Sequence, residues 1–210
     1  MITEKDTIKC ESIFNEDRTH RFLWKRVWNK DKPLAAVVML NPCIADNIIT
    51  DTTTALVVNN IARLEEYGGV TIVNLYSLLT NKLNFRWNSD EDLNDEENDD
   101  YIKKAAEEAK IVILAWGKSA DTNQRIAERA DDVLEILSPY KDKLKVITDG
   151  EREGLHPLTP ILRQMWELVP YTKKPPVEQK PAPVKEKIQF QEEEPTEEKS
   201  DEILEKEAVE

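Results

Sequence analysis

Cysteine and histidine are scarce, at two residues each among 210. Cys10 and Cys43 lie far apart and form no metal spacing. With two histidines they cannot close a zinc site without carboxylates. No metal and no cofactor is expected. Glycine is also sparse, at five residues, and none sits in a G-x-G-x-x-G or Walker loop that would cradle phosphates. A G-x-S-x-G nucleophile turn is missing as well. No apolar run is long enough to cross a membrane, and the first eleven residues carry no apolar signal core. The expected setting is the reducing cytoplasm, with no membrane partner. Net positive charge is lacking too: the formal charge is -13 and the pI about 4.8. Duplex DNA is held largely through neutralised phosphates, so this balance argues against a broad duplex-binding face.

What the chain does have is apolar residues, 40% of the total. That suffices for one domain with a real core plus extra chain. The longest uninterrupted stretch, residues 34–40, reads as a strand buried on both faces. It stops at Asn41-Pro42, because proline cannot donate to a ladder and pushes the preceding residue towards extended geometry. Residues 70–74, 111–115 and 144–147 repeat the pattern. Helices are predicted between them: one from Asp51-Thr52 to a glycine stop at Gly68-Gly69, one over 94–110, one over 121–137, and a last one over 160–168. In residues 21–28 the bulky side chains recur at every second position, so this stretch pairs with 8–14 as a hairpin. Strand-helix alternation implies a three-layer α/β/α sandwich around a mainly parallel four-stranded sheet, plus the N-terminal β-hairpin. The domain is expected to span 1–172.

Residues 173–210 differ in kind. They hold twelve acidic residues, seven lysines and five prolines. Such a segment buries too little apolar surface to offset its ordering entropy. It is expected to be disordered, with a short helix over 198–209 and a protein partner as its use.

Four strand ends carry polar punctuation: Leu40-Asn41-Pro42, Asn74, Trp116-Gly117-Lys118, and His156-Pro157 shortly after the fourth strand. In a parallel sheet these share one edge, where ligands of open α/β sheets bind. An asparagine amide both donates and accepts, so it can read a nucleobase edge or orient a water. A histidine near developing negative charge can act as an electrophile or proton carrier.

The motifs Met39 to Asp46, Asp51-Thr52-Thr53, Val73-Asn74-Leu75, Ala115-Trp116-Gly117 and His156-Pro157-Leu158 resemble a bacterial and phage family, domain of unknown function 1643. The resemblance covers roughly residues 21–166. Where that family usually has serine and threonine, this chain has Cys43 and Ile44. More distantly the same order of motifs is similar to the uracil-DNA glycosylase superfamily, which implies its fold. That resemblance implies that Asn41 or Asp46 positions the attacking water, Asn74 reads the base, and His156 stabilises the departing base. His156-Pro157 matches only the first half of the superfamily's last motif.

The candidate catalytic residues are Asn41, Asp46 and His156. Leu40, Pro42, Asn74, Trp116, Gly117, Lys118 and Pro157 are the candidate binding residues. Plainer roles stand beside these. Both asparagines suit turns, Trp116 suits a pocket wall, Asp51 suits a helix cap, Cys43 a packed thiol, and Arg21 and Arg26 a solvated strand face. Three functions remain open: an N-glycosidic hydrolase, a non-catalytic nucleotide or nucleobase binder, and an acidic interaction module.

Overall fold

The uninterrupted apolar runs form the middle of a sheet. In the computed structural model, which describes residues 1–44, 48–163 and 165–172, the strands in chain order are β1 (Lys9–Phe14), β2 (Arg21–Val27), β3 (Leu34–Met39), β4 (Gly69–Asn74), β5 (Ile111–Leu114), β6 (Leu144–Thr148) and β7 (Glu167–Pro170). They make one mixed sheet in the order β1-β2-β4-β3-β5-β6-β7. β3 runs parallel to β4 and β5, and β5 parallel to β6. β2 is antiparallel to β4, β1 to β2, and β7 to β6. All the described residues belong to one compact unit, Met1–Lys173.

Alternate residues of the inner strands face opposite sides, as the strand period requires. Ala36, Val38, Val73, Val112 and Leu114 join Ile102, Ala106, Ala130 and Val133 in one apolar cluster. Those four come from α3 (Asn98–Glu108) and α5 (Gln124–Ile136). Ala35, Val37, Ile72, Ile113 and Ile147 join Val57 and Ile61 of α1 (Thr52–Arg63) in a second cluster. Helices therefore cover both faces. The short helices are α2 (Asp90–Leu93) and α4 (Ser119–Thr122).

Six expectations need correction. The sheet has seven strands rather than four, because the hairpin continues it through β2 and because β7 pairs with β6. The predicted last helix is instead a single 3-10 turn, Pro160–Leu162, followed by β7. The helix predicted over 94–110 begins at Asn98, and the one over 121–137 is split by Asn123, whose side chain caps α5. α1 ends at Arg63 with Leu64 as its cap, not at the glycines. Gly68 is needed for close approach: a Cβ there would sit 1.8 Å from the Asn29 carbonyl oxygen. Finally, Arg21 is buried rather than solvated, with Cys43 and Asp51 from the chain after β3 beside its guanidinium.

Residues 173–210, with the predicted terminal helix, lie outside the described residues, as does Asp46. Among the described residues no helix is long and apolar enough to cross a membrane.

Candidate functional site

Parallel pairing brings the carboxyl ends of four strands to one edge. Met39 is level with Asn74, and Val38 with Leu114, which is level with Val146. Strands two apart in a sheet are separated by about 10 Å, so the ends of β4 and β5 flank the end of β3 at about that distance.

Asn41 leaves β3 half-buried. Its Nδ2 donates to the Thr80 carbonyl at 2.7 Å and to the Pro42 carbonyl at 3.1 Å. Thr80 in turn donates its backbone N–H to the Pro42 carbonyl at 3.1 Å. Both amide protons are thereby used on carbonyls, which fixes the orientation of the side chain and presents its Oδ1 as an acceptor. Pro42 is buried and Leu40 is half-buried against the α3/α5 cluster.

Asn74 ends β4 and is 2% exposed. It follows Val70 and Ile72 at strand spacing, on the α1 side of the sheet. Among the described residues its buried Oδ1 has no hydrogen-bond partner, as is also true of Asn60 Oδ1 and Asn98 Oδ1. A buried acceptor left unpaired costs about 1–3 kcal/mol, and a native structure rarely tolerates one without a reason. The strand end beneath it is held from the other face: Asn98 Nδ2 donates to the Asn74 carbonyl at 3.0 Å and lies 2.8 Å from Asn94 Oδ1. Arg129 Nε donates to the Leu75 carbonyl at 2.7 Å, and its guanidinium pairs with Asp99.

Trp116 and Gly117 leave β5, and Gly117 adopts φ +72°. A Cβ at 117 would come within 2.8 Å of the His156 Cβ. Only glycine allows this contact. His156 reaches the edge because Leu155 donates its N–H to the Ile147 carbonyl at 3.1 Å, which lays the returning chain along β6. The Leu158 N–H donates to His156 Nδ1 at 3.1 Å. Nδ1 is thus the acceptor, and the proton of the neutral ring sits on Nε2. Burial holds the imidazole below its ordinary pKa, so it is neutral at pH 7 and offers an N–H without a charge. Pro157 is buried behind it, whereas Lys118 is exposed and pairs with Asp121 at 3.6 Å.

The structure thus brings Gly117 to His156, and Asn41 to the loop after β4. Asn74 lies level with the end of β3.

Sequence reasoning missed Arg21. Its buried guanidinium lies within electrostatic reach of Cys43 and Asp51. Asp51 caps α1, accepting from the Thr54 N–H at 3.0 Å and the Thr54 hydroxyl at 2.6 Å. Burial alone would raise the Asp51 carboxyl, but these hydrogen bonds outweigh it and hold the group below its usual range. Burial, then the Asp51 charge, pushes the Cys43 thiol up, which favours its protonated form. The available signal for Arg21 was a lone cation at the head of a run of large apolar residues. Among the described residues no group of three or more His, Cys, Asp or Glu side chains is placed to hold a metal ion.

No curated protein and no solved structure matches the chain. A family model does match, over residues 21–158, and it takes in Asn41, Asn74, Gly117 and His156. The chain belongs to that family, described as a protein of unknown function (DUF1643).

Proposed function

We propose that the carboxyl edge of the sheet binds a nucleobase and hydrolyses the N-glycosidic bond that joins it to its sugar, on a fold of the uracil-DNA glycosylase type with β4-β3-β5-β6 as its parallel core. The supporting observation is the buried, unpartnered Oδ1 of Asn74. A lactam edge, with an N–H beside a carbonyl, satisfies that atom and pairs with the same amide's N–H.

Glycosidic cleavage places positive charge on the sugar and negative charge on the base. The neutral His156 ring donates from Nε2 to the base oxygen that gains charge, without first having to lose a proton. Asn41 Oδ1 holds the attacking water. An amide oxygen is too weak a base to take that water's proton, so the proton passes to a carboxylate, for which Asp46 is the candidate. The water oxygen bonds to the anomeric carbon, and the glycosidic electron pair leaves with the base.

A second reading follows from Asn41. With its Nδ2 protons held by two carbonyls, the same edge serves a nucleotide binder if no carboxylate activates the water. One experiment separates them. Full-length protein is incubated with uracil-containing single-stranded DNA and with a nucleotide panel, and free base is followed by chromatography. Turnover lost in Asn74→Ala, His156→Ala and Asp46→Asn supports the hydrolase. Saturable binding without release supports the binder. Neither turnover nor binding overturns both.

A further inference from the structure

The connection from β4 to α2 presents an indole to solvent on a loop that is firmly anchored. Trp87 is 74% exposed, while the other four tryptophans are buried or half-buried. An exposed tryptophan on a mobile loop would carry little meaning. This loop is fastened at three points. Thr80 is tied to Asn41 and Pro42 at the carboxyl edge. Phe85 turns inward, edge-on to Tyr76 with ring centroids 5.7 Å apart. Arg125 donates to the Phe85 carbonyl at 2.8 Å and the Asn88 carbonyl at 3.1 Å. Trp87 is held outward by these contacts.

The charge around it runs against the rest of the molecule. One residue in five is acidic overall, yet residues 67–89 contain no Asp or Glu and carry Lys82 and Arg86. Both cations are exposed, and the Arg86 guanidinium lies 5.1 Å from the centre of the Trp87 ring. Two of the three acids that follow at 90–92 are engaged locally, and Glu91 is exposed. Asp90 pairs with Arg125 at 2.5 Å, and Asp92 accepts the Ser89 N–H at 2.8 Å.

An outward aromatic face with one cation over it and a second on the same loop fits one chemistry well. Bases of any identity stack on an indole, and the flanking phosphates meet Lys and Arg. We propose that Trp87, with Arg86 and Lys82, is a stacking platform for a single-stranded polynucleotide. The ligand of the edge site is then a residue within a strand rather than a free nucleotide. This second statement rests on the proposed base-binding role of the edge; the platform itself does not.

The test uses full-length protein, a fluorescein-labelled twelve-residue oligodeoxyuridylate read by anisotropy, and a panel of nucleoside monophosphates read by calorimetry. Trp87→Ala should weaken oligonucleotide binding about tenfold or more, with Trp87→Phe restoring most of it and mononucleotide binding unchanged. Two phosphate contacts give a salt slope of about -1.4. The slope should flatten in Lys82→Gln/Arg86→Gln and persist in Trp87→Ala. Equal oligonucleotide affinity in wild type and Trp87→Ala overturns the platform, as does an oligonucleotide bound no more tightly than mononucleotides. An oligonucleotide that does not bind also overturns it and leaves the indole to a protein partner. In each case mononucleotide binding lost in Asn74→Ala still upholds the edge site. Conversely, Trp87-dependent strand binding with Asn74→Ala silent in both assays keeps the platform and removes the edge site.

Discussion

Gly117 is the seat of His156: the two backbones approach so closely that a methyl group at 117 would meet the histidine's Cβ at 2.8 Å. Gly117→Ala combines that clash with the positive φ of the position. The strain should cost about 1–3 kcal/mol, read as a lower urea midpoint. The displaced imidazole should lower base release or ligand affinity by about a hundredfold, measured on the folded fraction.

Burial depresses the pKa of His156. Above pH 6.5 the ring is neutral folded and unfolded, and its contribution to stability is complete. As pH falls below 6.5 the unfolded chain takes up a proton that the folded chain refuses, so stability drops until the folded pKa is reached. Urea titrations of wild type and His156→Gln between pH 8 and pH 5 should show the wild type losing more. Parallel curves would contradict a buried neutral imidazole.

Asp51 caps α1 and faces the Arg21–Cys43 pair. Asp51→Ala should cost about 1 kcal/mol or more, since cap loss alone accounts for that much. Asp51→Asn keeps the cap and removes the charge beside buried Arg21. A measurable further loss in Asp51→Asn, seen by chemical denaturation, would show that the charge matters beyond the cap.

Asn98 lies at the start of α3, fully buried, and supports the end of β4 through the Asn74 carbonyl. Asn98→Ala should destabilise by about 1–3 kcal/mol and also weaken ligand binding, because the amide of Asn74 rides on that strand end. Arg129→Met, which removes the Leu75 contact, should act in the same direction. Calorimetry on both variants checks the coupling. Full affinity in a destabilised Asn98→Ala would make Asn98 a fold residue only.

The inner strands were legible because residues 34–40 and 111–115 are apolar without interruption and 70–73 are broken only by Thr71, a pattern that burial on both faces dictates. The α1 start was legible because Asp51 acts on its own neighbours. What the sequence concealed depends on distant partners. Arg21 looks solvated until Cys43 and Asp51, distant in sequence, are known to lie beside it. β7 is four residues, none of them buried, too short for periodicity to mark, and only β6 makes it a strand. The site divides in the same way: Asn41 and Asn74 stand out locally as strand stops, whereas the contact of Gly117 with His156 joins segments some forty positions apart.

The antiparallel flanks β2 and β7 close the sheet against β4 and β6 from opposite ends of the sequence. During synthesis, β6 is exposed along one side until Glu167–Pro170 has left the ribosome. A nascent chain halted before that point presents an open ladder to its neighbours. Any state in which Glu167–Pro170 has not yet docked therefore favours aggregation, and β6 is where a chaperone has most to protect.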